Sequence, residues 1–282
     1  VREPADGWDD RLYAGAASHY AAGRLPYPPE LAEAIAGELA LDGTGRLLDV
    51  GCGRGALTVL LAGWFGEAVG VDPDPGMREV AAARASELGI RNCRWVGIPA
   101  EQLPAGLGRF HTVTFAQSFH WMDRARVARL VAPMLEPGGA WVHVGATTHR
   151  GRLDQTDLPL PSPPRDEIAE LVTRYLGPVR RAGGRLLAGG TLSGEEDIMR
   201  EAGYRGPRRV TVDAPRVLDR SEDQVVASVF SLSSAAPHLF GEQLEAFEAD
   251  LRSLLRRASP SGWFAERPHE IDVVIWHPPG RA

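Results

Sequence analysis

Arg46-Leu-Leu-Asp-Val-Gly-Cys-Gly-Arg-Gly55 runs an apolar strand straight into three glycines at alternate positions, and residues 56 to about 64 continue as helix. A strand that ends in Gly51-x-Gly53-x-Gly55 and opens a helix is a nucleotide-binding turn. The glycines permit a tight bend and close backbone approach, and amides at the helix start face the ligand. Ala56 also completes the looser dinucleotide pattern G-x-G-x-x-A, so the turn alone leaves the ligand open. Asp49 narrows the choice. A carboxylate two residues before Gly51 is expected beside the ligand, where it repels a pyrophosphate and attracts an ammonium or sulfonium. Asp72, ending a second strand at Ala68–Val71, is placed to accept hydrogen bonds from two ribose hydroxyls.

The alternation continues outward from this turn. A helix from about Gly76 to Leu88 leads to a third strand near Arg94–Val96. His111–Phe115 reads as a fourth strand, Arg124–Leu135 as a helix, and Pro137-Gly-Gly139 as a turn before a fifth strand at Ala140–Val144. This pattern predicts an α/β fold with a Rossmann-like, doubly wound, mainly parallel sheet and right-handed crossovers. Ahead of it, residues 1–45 form an arm and a helix (Leu31, Ile35 and Leu39 at helical spacing) expected to cover the cofactor site. Residues 46–149 are the cofactor-binding core. Residues 150–282 read as helical lid insertions plus the last two strands: helices at Asp166–Leu176, Glu195–Ala202, Ser221–Leu232 and Gly241–Ala258, and strands at Arg208–Val212 and Ile271–Trp276.

Composition excludes several chemistries. The 31 basic residues of this 282-residue chain are all Arg. Without Lys there is no Schiff-base enzyme, no pyridoxal anchor and no Walker-type phosphate loop. Acids and Arg are interspersed, and the net charge of −6 leaves no basic tract for nucleic acid. Cys52 and Cys93 make no metal pattern, so no metal is expected. No apolar run reaches the roughly 18 residues of a membrane span, and the N-terminus lacks a signal pattern, so a cytoplasmic location with no membrane partner is the expectation.

The quoted motifs resemble the class I S-adenosylmethionine-dependent methyltransferases. Leu47–Gly55 resembles their first motif and Val69-Gly-Val-Asp-Pro73 their second. Ala100-Glu-Gln-Leu-Pro104 is similar to the loop that meets the adenine, and Leu135-Glu-Pro-Gly-Gly139 to the turn before strand five. The resemblance spans about residues 20–145. It implies S-adenosyl-L-methionine as cofactor, a sheet order of 3-2-1-4-5-7-6 and an antiparallel last strand. Cofactor-binding positions follow from it: Asp49, Gly51, Gly53, Gly55, Asp72, Pro73, Met77, Ala100, Glu101 and Gln117. Two departures stand out: Pro99, where the family is often polar, and His111, where Asp is usual and which reads as loop packing.

Two further segments point to the acceptor side. Tyr20-Ala-Ala-Gly-Arg-Leu-Pro-Tyr-Pro28 resembles an element of the trans-aconitate-like small-molecule methyltransferases that covers the cofactor's methionine end. Arg24 is expected on the cofactor carboxylate, Tyr20 at the methyl site and Tyr27 on the substrate. Ala116-Gln-Ser-Phe-His-Trp-Met-Asp123 follows strand four, where ligands of open α/β sheets collect. His120 is the candidate general base and Trp121 a stacking wall for the substrate. His149 is a softer substrate candidate. His143 reads as strand packing, and Ser231–Pro237 as a pocket lining or a helix-end cap. The expected reaction is methyl transfer to N or O of a polar small molecule, such as an aminoglycoside or other secondary metabolite. A carboxyl O-methyltransferase is the near alternative, for which Arg residues in 150–185 should point inward. A nicotinamide-dependent oxidoreductase and a non-catalytic cofactor-binding module are the readings from other classes. Oligomeric state is not legible.

Overall fold

A computed structural model describes residues 17–152, 157–178, 181–182, 185–186 and 194–280. In chain order the elements are α1 (Ala17–Gly23), α2 (Pro29–Leu39), β1 (Arg46–Val50), α3 (Ala56–Leu61), β2 (Glu67–Val71), α4 (Pro75–Glu87), β3 (Cys93–Val96), β4 (Phe110–Ala116), α5 (Arg124–Val131) and β5 (Leu135–Gly145). There follow α6 (Arg165–Leu176), the short strands β6 (Arg181–Ala182) and β7 (Arg185–Leu186), α7 (Glu195–Glu201), β8 (Arg205–Val212), β9 (Leu218–Ser221), α8 (Glu222–Phe230), α9 (Leu244–Ala258), β10 (Trp263–Glu266) and β11 (Ile271–His277).

Seven strands form one sheet in the order β3-β2-β1-β4-β5-β11-β8. The first five pair in parallel, and β11 runs antiparallel to both β5 and β8. This is the expected order, with the antiparallel strand inside the sheet and β8 at its edge. Parallel strands are covered on both faces, which is why β1 and β2 read as continuous apolar runs. One face packs Phe110, Phe115, Trp141 and Trp276 under α5 and α7; the other packs Leu31, Ile35, Leu57 and Leu61 from α2 and α3 onto Leu47, Val142 and Ile275.

The segment after β5 adds a third apolar cluster of its own. Phe230, Phe247, Leu251, Leu255 and Phe264 join α6, α8, α9 and β10. The strands β9 and β10 pair antiparallel, and Phe264 of β10 joins this cluster. They were not expected from the sequence. The N-terminal helix joins this segment: at Gly23 the backbone of α1 lies so close to that of α8 that a Cβ would sit 2.3 Å from the Ala227 carbonyl carbon. Strand β5 also starts earlier than expected, because Leu135 pairs with Phe110 ahead of a register shift at the Pro137–Gly139 turn. No helix among the described residues is long and apolar enough to cross a membrane.

Candidate functional site

The turn after β1 is held from below. The amides of Gly51 and Cys52 donate to the Val71 carbonyl at 2.8 and 3.0 Å, tying the loop to the end of β2. Gly51, Gly53 and Gly55 all take positive φ, which only glycine adopts without strain. Their surroundings differ. A Cβ on Gly53 would meet nothing within 4 Å, leaving its backbone open to a ligand, whereas one on Gly55 would lie 2.6 Å from the Trp95 ring and 2.9 Å from Ala81. Gly55 therefore serves helix–sheet packing and does not line the cleft where it was expected.

A cleft lies at the carboxyl ends of β1, β2 and β4, where ligands of open α/β sheets bind. Of the expected cofactor residues, Tyr20, Gly51, Gly53, Asp72, Pro73, Met77, Ala100, Glu101 and Gln117 line it, as does Trp121. Asp74, Ile98, Pro99, Ala116, Ser118 and Met122 line it too. Asp72 is fixed by two amides: Gly53 N donates to Oδ2 and Asp74 N to Oδ1, both at 2.9 Å. Burial pushes the Asp72 carboxyl above its ordinary range, while these two donors oppose the shift. Glu101 accepts from the Asp123 amide at 2.9 Å, so the adenine-side loop also clamps the segment after β4. Gln117 sits at φ +58°, a left-handed conformation that is costly for a non-glycine residue, and donates to the Val144 carbonyl at 3.2 Å. Ser118 Oγ donates to the Val50 carbonyl at 2.6 Å, pinning the same loop to β1. Among the described residues the lining carries three carboxylates, Asp72, Asp74 and Glu101, and no Arg, His or Cys.

Five other expected site residues lie off this lining, each for a visible reason. Asp49 is only 1% exposed beneath the floor, where it accepts from Thr58 Oγ1 at 2.6 Å and Thr114 Oγ1 at 2.8 Å. Burial pushes its pKa up to about 6, against the pull of those hydroxyls. Arg24 lies 4.3 Å over the Tyr20 ring and donates to the Ser231 carbonyl at 2.8 Å and Thr148 Oγ1 at 3.4 Å, bridging arm, lid and post-β5 loop. Tyr27 packs against the apolar layer under α2 and α3, where burial raises its phenol far above the ordinary value. His120 falls on a 3-10 turn, Phe119–Trp121, that sends Phe119 into the core and Trp121 to the cleft. Its own ring lies 4.8 Å from Trp121, and burial lowers its pKa while Glu195 opposes the shift. His149 is half-buried in the loop after β5. His143 is core packing as read, with Nδ1 3.0 Å from Glu195 Oε2, and Ser231 caps the end of α8.

Arg54 is the functional candidate that the sequence did not disclose. It is buried within the glycine turn and donates to the Ala21 carbonyl at 2.6 Å and to the Arg24 carbonyl at 3.4 Å, holding the arm over the cleft. Nothing local marks an x position of a glycine loop as a tether, because its partners lie about 30 residues upstream.

Asp49 gives a pH test of the floor. The folded chain holds this proton more tightly than the unfolded chain, whose carboxyl titrates near 3.8. Stability linked to Asp49 is thus full below that value and falls as pH rises through about 6, by about 3 kcal/mol in all. In urea unfolding, Asp49→Asn should gain on the parent chain between pH 4.5 and pH 7. Parallel pH curves for the two proteins would refute the buried, proton-binding Asp49.

The profile of a family described as "Methyltransferase domain" matches residues 47–139. The chain is 35% identical over 127 residues to Rv3342, an uncharacterized methyltransferase of Mycobacterium tuberculosis, covering 45% of this chain and 49% of that protein. It is 33% identical over 100 residues to the methyltransferase YcgJ of Bacillus subtilis, covering 35% and 40%. The YcgJ crystal structure superposes with a TM-score of 0.51 at 18% identity, over 88% of this chain and 98% of that one. The structure of SpnF, a [4+2]-cyclase, superposes with a TM-score of 0.52 at 17% identity, over 96% and 94%. These two superpositions show the fold alone. The chain spans about half the length of the curated relatives it matches.

Proposed function

We propose that this chain, whose residues 47–139 match a methyltransferase-domain family, is a class I S-adenosylmethionine-dependent methyltransferase that transfers a methyl group from S-adenosyl-L-methionine to an N or O atom of a polar small molecule. The observation that carries this reading is the charge of the cleft. Three carboxylates and no cation suit a ligand bearing a sulfonium and an ammonium, and repel a dinucleotide pyrophosphate. The other features fit the same cofactor. Asp72 keeps lone pairs for a ribose, Gly53 leaves an open backbone, and Met77, Ile98 and Ala100 offer an apolar bed for a purine. When bound, the cofactor supplies a methyl group activated by its sulfonium.

The chain's own contribution is alignment and exclusion of water. Tyr20 on the arm and Trp121 on the post-β4 turn face each other's side of the cleft as walls, and Arg54 holds the arm in place. The strained Gln117 and the bonded Ser118 fix the turn that carries Trp121. His120 acts behind that wall as a positioning residue, packed on Trp121 and out of line with the acceptor. A free amine or a carboxylate needs no base to be methylated, which matches a lining free of His.

The fold does not fix the reaction, since SpnF shares it as a cyclase, so the decisive assay reads product. Calorimetry should show binding of S-adenosylmethionine and none of the nicotinamide dinucleotides. Mass spectrometry should then detect S-adenosylhomocysteine formed in step with a methylated acceptor from a panel of amino sugars, hydroxy acids and amino acids. Dinucleotide binding in place of S-adenosylmethionine would overturn the proposal. For His120→Ala, the positioning role predicts a kcat loss within about tenfold and an unshifted pH profile. A loss of about a hundredfold or more, with the limb below neutral pH removed, would make His120 the base.

A further inference from the structure

Among the described residues, the corner where the arm, the post-β5 loop and the helical segment after it meet carries more positive charge than its acids balance. His149 stands in it, and burial followed by the fields of Arg24, Arg150, Arg165 and His269 depresses its pKa to about 3. Glu266, 1% exposed, is the acid built into this corner, and its oxygens are committed. Oε1 accepts from Arg165 Nη2 at 2.7 Å, Arg165 Nε at 3.1 Å and the Gly151 amide at 2.9 Å; Oε2 accepts from Arg220 Nη1 at 3.1 Å. One carboxylate thus already faces two guanidiniums. Asp213 and Glu270, which lie nearby, pair with Arg152 at 2.7 and 3.7 Å.

Among the described residues, Arg24 and Arg150 have no carboxylate partner. Arg24 bonds only to a carbonyl and a hydroxyl, and its Nε is buried without a partner. Arg150 has a buried Nε without a partner and makes no hydrogen bond or ion pair among the described residues. Orphaned guanidinium donors in an uncompensated cationic corner are costly unless an anion completes them. The corner adjoins the wall of the cleft at Tyr20. Arg24 stacks on Tyr20, a lining residue, and the loop bearing His149 and Arg150 leaves β5 after Gly145, one residue past Val144, whose carbonyl Gln117 holds. Planar, forked guanidinium donors match a carboxylate better than a point charge does.

Resting on the methyltransferase reading, we infer that this corner anchors an acceptor through its carboxylate, with Arg150 and Arg24 as the recognising donors and His149 as a neutral flanking donor. The cofactor's own carboxylate is the other possible source of the same chemistry, and the two are separable by experiment. Glutarate serves as the probe acid, with glutaramide as its neutral isostere and inorganic phosphate as a tetrahedral anion.

Calorimetry should show glutarate binding to the parent chain, with glutaramide and phosphate bound at least about tenfold more weakly. Arg150→Gln should weaken glutarate about tenfold or more while S-adenosylmethionine binding stays within about twofold, and thermal unfolding should be unchanged because Arg150 has no partner among the described residues to lose. The imidazole of His149, followed by NMR, should titrate higher with glutarate bound than without. Glutarate bound no better than glutaramide overturns the site, and phosphate bound as well as glutarate overturns the carboxylate assignment. Arg150→Gln weakening S-adenosylmethionine instead of glutarate assigns the corner to the cofactor and overturns the acceptor. Failure of the parent chain to bind S-adenosylmethionine strikes the methyltransferase reading itself, and is scored separately from glutarate.

Discussion

Asp72→Ala weakens binding of S-adenosylmethionine by about a hundredfold or more, measured by calorimetry, while the protein stays folded. Two contributions add. The carboxylate is expected to accept from two ribose hydroxyls, and hydrogen bonds to a charged group contribute about 1.5–3 kcal/mol each. It also accepts the amides of Gly53 and Asp74 at 2.9 Å, so its removal frees the glycine turn whose open backbone forms one side of the cleft. Asp72→Asn separates the two effects. It keeps one oxygen and loses the charge, so binding should fall only about tenfold. Loss from Asp72→Ala of less than about threefold would mean that the cofactor does not contact this strand end, and the ribose assignment would be abandoned.

Much of the fold was legible because it is written locally. The strand–glycine–helix turn, the apolar runs of a sheet buried on both faces and the turn before β5 all lie within a few residues of what they determine. The site was less legible, for one physical reason: side-chain direction depends on partners far along the chain. Asp49 sits on a strand buried on both faces, where periodicity does not tell floor from ligand; its fate was decided by Thr58 and Thr114. The third glycine looked like a ligand contact, and Trp95 and Ala81, 40 and 26 positions on, make it a packing residue. His120 and Trp121 are adjacent, and a single 3-10 turn puts one on the cleft and the other behind it. Arg24 was expected on the cofactor carboxylate through the family resemblance, yet its donors meet Ser231 and Thr148. The ribbon of β9 and β10 joins four-residue strands more than 40 positions apart, too short and too distant for a local pattern to reveal.

The lid's own anchor offers the largest expected loss of stability. Glu266 is the one buried carboxylate between Arg165 and Arg220, and Arg220 also donates to the Gly23 and Gln224 carbonyls, so this cluster ties β10 to α8 and to the arm. Burial lowers the Arg220 pKa to about 10 and Glu266 opposes that shift, so each charge depends on the other. Removing one partner of a buried pair leaves an uncompensated charge and costs about 3–5 kcal/mol, far more than the pair adds over an apolar equivalent. Glu266→Ala should therefore lower Tm by about 10 °C for a chain of this size. Glu266→Gln should recover part of that, since it retains an acceptor for Arg165 and for the Gly151 amide. The double replacement Arg220→Met with Glu266→Met should be milder than Glu266→Ala, because it removes the stranded charge along with its partner. Tm values for Glu266→Ala within about 2 °C of the parent would show that water reaches these guanidiniums, and the dry, cation-rich corner beside the cleft would lose its physical basis.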